Sequence, residues 1–483
     1  MENNIRSEMF KGVFWSAIEK FSNVFVVLIV SAILARLISP REFGIVAIAT
    51  VIINFLTIFS TMGIFPAIIQ RRDLSSKDYD SIFTFTIILG LLFSFLFYLT
   101  SWEIATYYHE PSLIPICHIL SIALFCATIN LVPSALMAKN KRFKLMAKRA
   151  IILQLIGGGI AVAMAFYGCG VYALLVSPII SFLGAFIINI YYYPCHLRFP
   201  IDFQPLKKIF SYSAFQLSFD VINFFSRNLD KAIIGKYLNM QTLGYYDKSY
   251  RLMLMPISYI SAAVSPVLQP ILSDLQDSLP VLANKYSKVV HFIAMISFPL
   301  ATFIFFTAYE LINIVYGHNW DAAIPTFKIL SLSLPLQMII TTTGAIYQAS
   351  NATKHLFIVG LINTLITIVG FYIAICVGES IEAVAISWDI TLFLNFTLTF
   401  MVMYKILFKS PLRIIFSSLA MPFLNALLLI PCFLLLQTLP LNNLYVLFIL
   451  KVIISLTITL LFLQLSKQIS LKQLYQNIKS RCI

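Results

Sequence analysis

Apolar residues run in blocks of about twenty along almost the whole chain, with short polar connections between them. About fourteen blocks can be marked, at 14–38, 43–64, 82–101, 113–137, 151–167, 171–193, 210–238, 243–272, 289–316, 325–349, 356–377, 381–404, 414–436 and 444–465. A helix of that length spans the roughly 30 Å hydrocarbon core of a bilayer, where only helices and closed barrels satisfy their own backbone hydrogen bonds. The pattern predicts an all-α polytopic membrane protein with about 14 transmembrane helices.

One block departs from the rule. Residues 213–251 carry Asp220, Arg227, Asp230 and Lys231 inside an apolar run. An ionised side chain at the bilayer centre disfavours insertion by about 2.5 to 3.5 kcal/mol on translocon scales, so such groups face a protein interior or a watery cavity. Gln216, Asp220, Asn223, Arg227, Asp230 and Lys231 recur at steps of three and four, which puts them on one helical stripe. After a break at 238–243 the next helix opens with Tyr245, Asp247, Lys248 and Arg251. Arg227, Lys231, Lys236, Lys248 and Arg251 set five positive charges against the three of Asp220, Asp230 and Asp247. The stretch therefore predicts a wet, net-basic face that attracts anions, with Arg227, Lys231, Lys248, Arg251 and Asn223 as candidate ligands. The competing reading is structural: Arg227 with Asp230, and Asp247 with Arg251, have the i,i+3 and i,i+4 spacing of helical ion pairs. That pairing leaves Lys231 and Lys248 unmatched.

Other blocks carry weaker stripes. Residues 14–38 hold Ser16, Glu19, Lys20 and Asn23 on one face, with Arg36 near the end; 43–64 hold Thr50, Asn54, Thr57 and Thr61; 325–349 hold Gln337, Thr341, Gly344 and Gln348; 356–377 hold Asn363 and Thr367. Lys20, Asn23 and Gln337 read as cavity lining that suits a sugar's hydroxyls. Hydroxyl and amide stripes equally suit helix–helix hydrogen bonds, worth only about 0.6 kcal/mol each. Asp389, beside Trp388, lies inside 381–404 with no local basic partner, and joins Asp220 and Glu19 as a candidate for ion coupling. Lys451, in the last block, reads as a lysine snorkelling to the outer surface.

Composition narrows the function classes. The 483 residues are 60% hydrophobic and 11% charged, with a mean hydropathy of +0.89, against about 25% charged in soluble domains. A net charge of +14 does not point to nucleic acid, because the Lys and Arg residues sit in short loops between apolar blocks. Seven cysteines, odd in number and mostly inside apolar runs, predict small packing residues and no disulfide or metal framework. The N-terminus lacks the short apolar core and small-residue cleavage site of a signal peptide, so the first block is expected to be retained. Neither G-x-x-x-x-G-K-[ST] nor H-E-x-x-H occurs, and the connections on one side are about ten residues or fewer. These features count against a membrane glycosyltransferase or polysaccharide ligase, and predict a protein that is not an enzyme and uses no cofactor.

A weak internal repeat is visible. Phe14-Trp-Ser-Ala opens the first block as Tyr212-Ser-Ala-Phe opens the seventh, Asn23 falls opposite Asp220, and Phe43-Gly44 opposite Leu243-Gly244. The repeat predicts halves at 1–205 and 206–410, with 411–483 as two further helices and a tail. Repeated halves with a binding site between them are a common transporter plan.

With these residues in hand, the chain resembles the polysaccharide transporter family of the MOP (multidrug, oligosaccharidyl-lipid and polysaccharide) exporters. The resemblance rests on LISPREFGIVAIA (37–49), AIIQRRDLSSKDYDSIF (67–83), RNLDKAIIGKYL (227–238) with LGYYDKSYRLMLMP (243–256), and VYGHNWDAAIPTFKILSL (315–332). It implies two six-helix bundles around a central cavity that opens alternately to each side, plus two C-terminal helices. The implied cargo is an undecaprenyl-pyrophosphate-linked oligosaccharide, with membrane lipids, a polysaccharide polymerase and a chain-length regulator as partners. Drug antiporters share the superfamily, but prefer acidic cavities for cationic drugs.

Basic residues fix the expected orientation. Arg6 and Lys11, the six between Lys139 and Arg149, Lys207 and Lys208, Lys285 and Lys288, Lys405 to Arg413, and Lys467 to Arg481 lie on alternate connections. The positive-inside rule makes that side, and both termini, cytoplasmic. Single cysteines at Lys141 and Ser380 are expected to react with an impermeant thiol reagent from opposite faces of the membrane, inside and outside respectively. Labelling of both from one face would refute the topology.

Overall fold

The structure is a computed structural model that describes residues 2–71, 73–273, 278–438, 440 and 443–466. The basic tail residues from Lys467 to Arg481, used for the expected orientation, lie outside these.

 The chain divides into two compact units, Met1–Asp247 and Lys248–Ile483, and the boundary falls inside a helix.

The first unit contains α1 (Glu2–Leu37), α2 (Pro40–Thr61), α3 (Ile64–Gln70), α4 (Ser76–Leu99), α5 (Ser101–Tyr108), α6 (Leu113–Ile129), α7 (Leu131–Lys139), α8 (Phe143–Phe166), α9 (Val171–Tyr192), α10 (Gln204–Tyr237) and the first turns of α11 (Met240–Ser273). The second continues α11 and adds α12 (Leu279–Phe306), α13 (Ala308–Val315), α14 (Ile324–Leu332), α15 (Leu334–Ile340), α16 (Thr343–Ala349), α17 (Thr353–Gly378), α18 (Ile381–Met401), α19 (Arg413–Gln437) and α20 (Leu444–Leu465). No strand occurs among the described residues.

Among the described residues, eleven helices or fused helices are long and apolar enough to cross a membrane, and the bent pair His318–Leu332 with Leu334–Ala349 makes up to twelve. The protein is therefore a multi-pass membrane protein. α10 and α11, at 34 residues each, also have the length to cross. Counting both is compatible with fourteen crossings. The tenth block is not one straight helix: its two parts meet at 48°. Pro335 supplies the cause, since its ring removes a donor and clashes with the carbonyl four residues back, and α14 ends at Leu332. Pro133 acts the same way on Ile129, where α6 gives way to α7.

Small residues set the packing of the first unit. Gly157, Ala161 and Ala165 form a buried i, i+4, i+8 stripe on α8, which lets neighbouring backbones approach as in small-xxx-small interfaces. A Cβ on Gly158 would lie 2.6 Å from Val30 of α1, and one on Gly157 would lie 3.1 Å from the Ser177 backbone of α9. In the second unit α19 lies along α12 through Phe298 and Phe423, with ring centres 6.0 Å apart, and Phe306 and Phe433, at 5.4 Å. Lys451 of α20 is only 2% exposed; its Nζ donates to the Phe306 carbonyl at 2.7 Å and to the Glu310 carboxylate. The expectation that Lys451 snorkels to the surface is thus overturned, because a buried carboxylate 141 residues earlier meets the ammonium in place.

Two helix starts that read alike in the sequence meet in the first unit. Ser39 accepts from the Glu42 amide at the start of α2, and Asn239 accepts from the Thr242 amide at the start of α11. Five residues after each cap stands a glycine, and the two meet. A Cβ on Gly44 would lie 1.7 Å from the Met240 carbonyl oxygen, and one on Gly244 would lie 2.0 Å from the Pro40 carbonyl oxygen. The contact is reciprocal, each glycine facing the residue four before the other. Neither backbone can give way as a side chain would. Gly44→Ala is expected to destabilise the purified protein by about 1–3 kcal/mol, the usual range for overpacking. Gly159→Ala, with nothing within 4 Å of its Cβ, is expected to be neutral or stabilising by up to about 1 kcal/mol, since alanine favours the helix. Thermal unfolding in detergent checks both, and equal effects would refute the crossing.

Candidate functional site

The charged stripe of α10 sorts into an exposed and a buried part. Arg227 is exposed, whereas Asp230 is 2% and Lys231 9% exposed. Asp230 Oδ2 accepts from the hydroxyl of fully buried Tyr246 at 2.9 Å, and Oδ1 accepts from the Lys231 amide at 2.8 Å. Lys231 Nζ reaches Asp247 Oδ1 of α11 at 2.7 Å. The reading that leaves Lys231 unmatched is corrected here: its partner stands sixteen residues on, across the turn between α10 and α11. No Arg227–Asp230 ion pair occurs among the described residues. Asp230, Lys231 and Asp247 are thus buried together where α10 and α11 meet. The side chains of Gln216, Asp220 and Asn223 lie outside the described residues.

The end of α10 is tied to the connection after α5. Lys236 donates to the Tyr107 carbonyl and stands 4.2 Å from the Tyr107 ring centre, within cation–π range. Arg41, in the first turn of α2, reaches Glu110 at 2.7 Å. These contacts gather several chain connections at one end of the unit.

On α1, Lys20 and Asn23 are exposed while Glu19 is half-buried. Arg149 of α8 and the neighbouring Lys20 are the cations that act on Glu19. Arg149 also donates to Asn189 Oδ1 of α9, and Asn189 Nδ2 donates to Asn130 Oδ1, between α6 and α7, at 2.8 Å. Sequence reasoning placed Arg149 in a basic loop and missed this chain. The signal was present, as Asn189 interrupts an apolar block and Arg149 falls two turns inside α8. The threonine stripe of α2 is spent locally: Thr50 donates to the Val46 carbonyl at 2.6 Å and Thr57 to that of Ile53 at 2.7 Å. Outside the spans, burial first and Asp80 second push the Cys195 thiol up to about 12, so it is not a thiolate at neutral pH.

In the second unit Lys248 is buried, with Nζ 5.3 Å from the Tyr316 ring centre, while Arg251 is exposed. Ser249 donates to the Ala323 carbonyl at 3.1 Å. Gln337 is buried and donates to Ser333 Oγ at 2.9 Å. Ser333, at the bend between α14 and α15, also bonds the Asp389 carboxyl group. Asp389 Oδ1 is buried with no hydrogen-bond partner among the described residues. Gln337 and Asp389 therefore share a neighbour that the sequence did not single out. Asn363 donates to Thr399 and Asn395 to Thr367, both at 3.2 Å, which ties α17 to α18. No cluster of three or more His, Cys, Asp or Glu able to hold a metal occurs among the described residues.

The family described as polysaccharide biosynthesis protein matches residues 33–325. The teichuronic acid biosynthesis protein TuaB of Bacillus subtilis is 25% identical over 356 residues, covering 73% of this chain and 74% of its own. The lipopolysaccharide biosynthesis protein WzxC of Escherichia coli is 23% identical, covering 87% and 86%. Among solved structures, the lipid II flippase MurJ in an inward closed conformation superposes with a TM-score of 0.74 at 17% identity, covering 94% of this chain and 99% of that one. An inward-facing multidrug transporter of the MATE family gives 0.59 at 16% identity, covering 79% and 93%. The two superpositions speak for the fold, and the match over 33–325 takes in the stretch at 227–256. The chain belongs to the polysaccharide biosynthesis protein family.

Proposed function

We propose that the protein is a flippase that carries an undecaprenyl-pyrophosphate-linked oligosaccharide from the inner to the outer leaflet of the cytoplasmic membrane. Its two repeats, at 1–205 and 206–410, alternate access to the cargo, and both termini are cytoplasmic. It catalyses no covalent step, and a polymerase and chain-length regulator take up the product. The family match, and relatives named for teichuronic acid and lipopolysaccharide biosynthesis, support the cargo class. The observation that carries the reading is Arg227, exposed on a membrane-length helix where neighbouring charges are buried. An isolated ion taken into hydrocarbon costs tens of kcal/mol in the Born limit, and a guanidinium fork replaces the water a pyrophosphate gives up.

Arg251, Lys20 and Asn23 are exposed and join Arg227 as proposed contacts, with Asn223 on the same stripe. Lys231, Lys248 and Gln337 are already engaged by protein groups, and serve the cargo only by exchanging those partners. The buried carboxyl groups of Asp230 and Asp247 favour a second reading, a cation-coupled antiporter of small solutes. Lipid-linked repeat units building up on the inner leaflet of a deletion strain support the flippase, and their absence supports the antiporter.

Two variant series test the residues. Arg227→Ala is expected to abolish polymer export with the protein still inserted, and Arg227→Lys to restore part of it, since lysine lacks the planar fork. The double change Arg227→Ala with Asp230→Ala is expected to stay inactive, because Asp230 leans on Tyr246. Recovery in the double variant would defeat the substrate role. For coupling, Asp220→Asn, Glu19→Gln and Asp389→Asn each remove a titratable charge with little change of shape, and at least one is expected to lower the export rate. Normal export in all three would remove these carboxylates from the mechanism.

A further inference from the structure

A groove of about 810 Å³ runs between α12 and α20 in the second unit. Phe292, Ile296 and Pro299 form one wall, and Val452 and Leu456 the other. Phe292 is 62% and Leu456 60% exposed, so the groove opens sideways, toward the surface that meets hydrocarbon in a membrane protein. From His291 to Phe303 it follows α12 for twelve residue steps, about 18 Å at 1.5 Å per residue. That is a little more than half of the roughly 30 Å hydrocarbon core, the reach of a chain confined to one leaflet.

One end of the groove is charged and the other is not. Beyond His291 the same face of α12 continues to Lys288, four residues before Phe292, and to Lys285, a further turn back. Both lysines are exposed, and α12 contains no acidic residue. At the other end Phe303 and Phe448 close the groove with ring centres 6.0 Å apart. Inside it Thr459 Oγ1 is buried with no hydrogen-bond partner among the described residues, a donor that a lipid ester carbonyl can meet. Apolar walls one leaflet long, capped by aromatics and opening onto two lysines, match a two-part molecule with an anionic head and a single-leaflet tail. A prenyl chain of many isoprene units would overrun the groove.

We propose that the groove holds one acyl chain of an anionic phospholipid whose headgroup phosphate rests on Lys285 and Lys288. The site lies wholly within the second unit, and the proposal stands independently of the flippase reading. Lipid bound here lodges between α20 and the helix it packs against, in contact with the protein on two sides where an annular lipid has one.

The full chain, exchanged into nanodiscs of equal phosphatidylglycerol and phosphatidylcholine and released into the gas phase, tests this by the mass of the lipid retained. Phosphatidylglycerol is expected to be retained in preference. Lys285→Gln with Lys288→Gln is expected to cut that preference about thirtyfold, the effect of two basic residues near an anionic surface. Ser455→Trp, which fills the groove and leaves both lysines, is expected to remove the retained lipid. Should that variant fail to fold, Ile296→Trp fills the groove from the opposite wall. Retention in the nanodisc's own proportions, retention unchanged by filling the groove, or recovery of a prenyl lipid from cell membranes at this site would each overturn the proposal.

Discussion

A charge inside an apolar bundle is tolerated only when another group meets it, because breaking a buried ion pair leaves an uncompensated ion at a cost of about 3–5 kcal/mol. Much of this molecule's internal order follows from that. Lys231 meets Asp247, Lys451 meets Glu310, Asp230 takes the Tyr246 hydroxyl, and Arg149 leans on Asn189. Each contact joins two elements, so the same groups that are hardest to bury also fix which helices lie together. Arg227 follows the rule from the other side: it is exposed, and the partner it lacks among the described ion pairs is one that a ligand can supply.

The helices were legible in the sequence because a run of about twenty apolar residues has few other solutions in a membrane. Their interruptions were legible only in part. Pro133 and Pro335 stand in plain view, but whether a proline bends a span or ends it depends on what packs around the break. Pairing across elements was the least legible. Helical spacing proposes partners three or four residues apart, and so offered Asp230 to Arg227. The structure instead joins Lys231 to a residue across a turn, and Lys451 to one 141 residues away. Nothing in local periodicity distinguishes a lysine that reaches water from one that reaches a distant carboxylate.

The starts of α2 and α11 show the opposite case, in which a weak likeness in sequence marked a strong physical constraint. Two short segments, each a capped helix start with a glycine five residues on, looked alike only in passing. In the folded unit they touch through their backbones, and each glycine is required by the other's carbonyl. The contact is symmetric, so the same local solution serves both sides of one crossing.

The pairing of Glu310 with Lys451 also has a consequence in time. Chains are made from the N-terminus at about 5–20 residues per second, so the 141 residues between the two take about 7–28 seconds to appear. Throughout that interval Glu310 is in place and its lysine does not yet exist. The second unit must therefore wait, with that carboxylate still lacking its ammonium, until α20 inserts, and that helix closes the bundle as a clasp closes a strap.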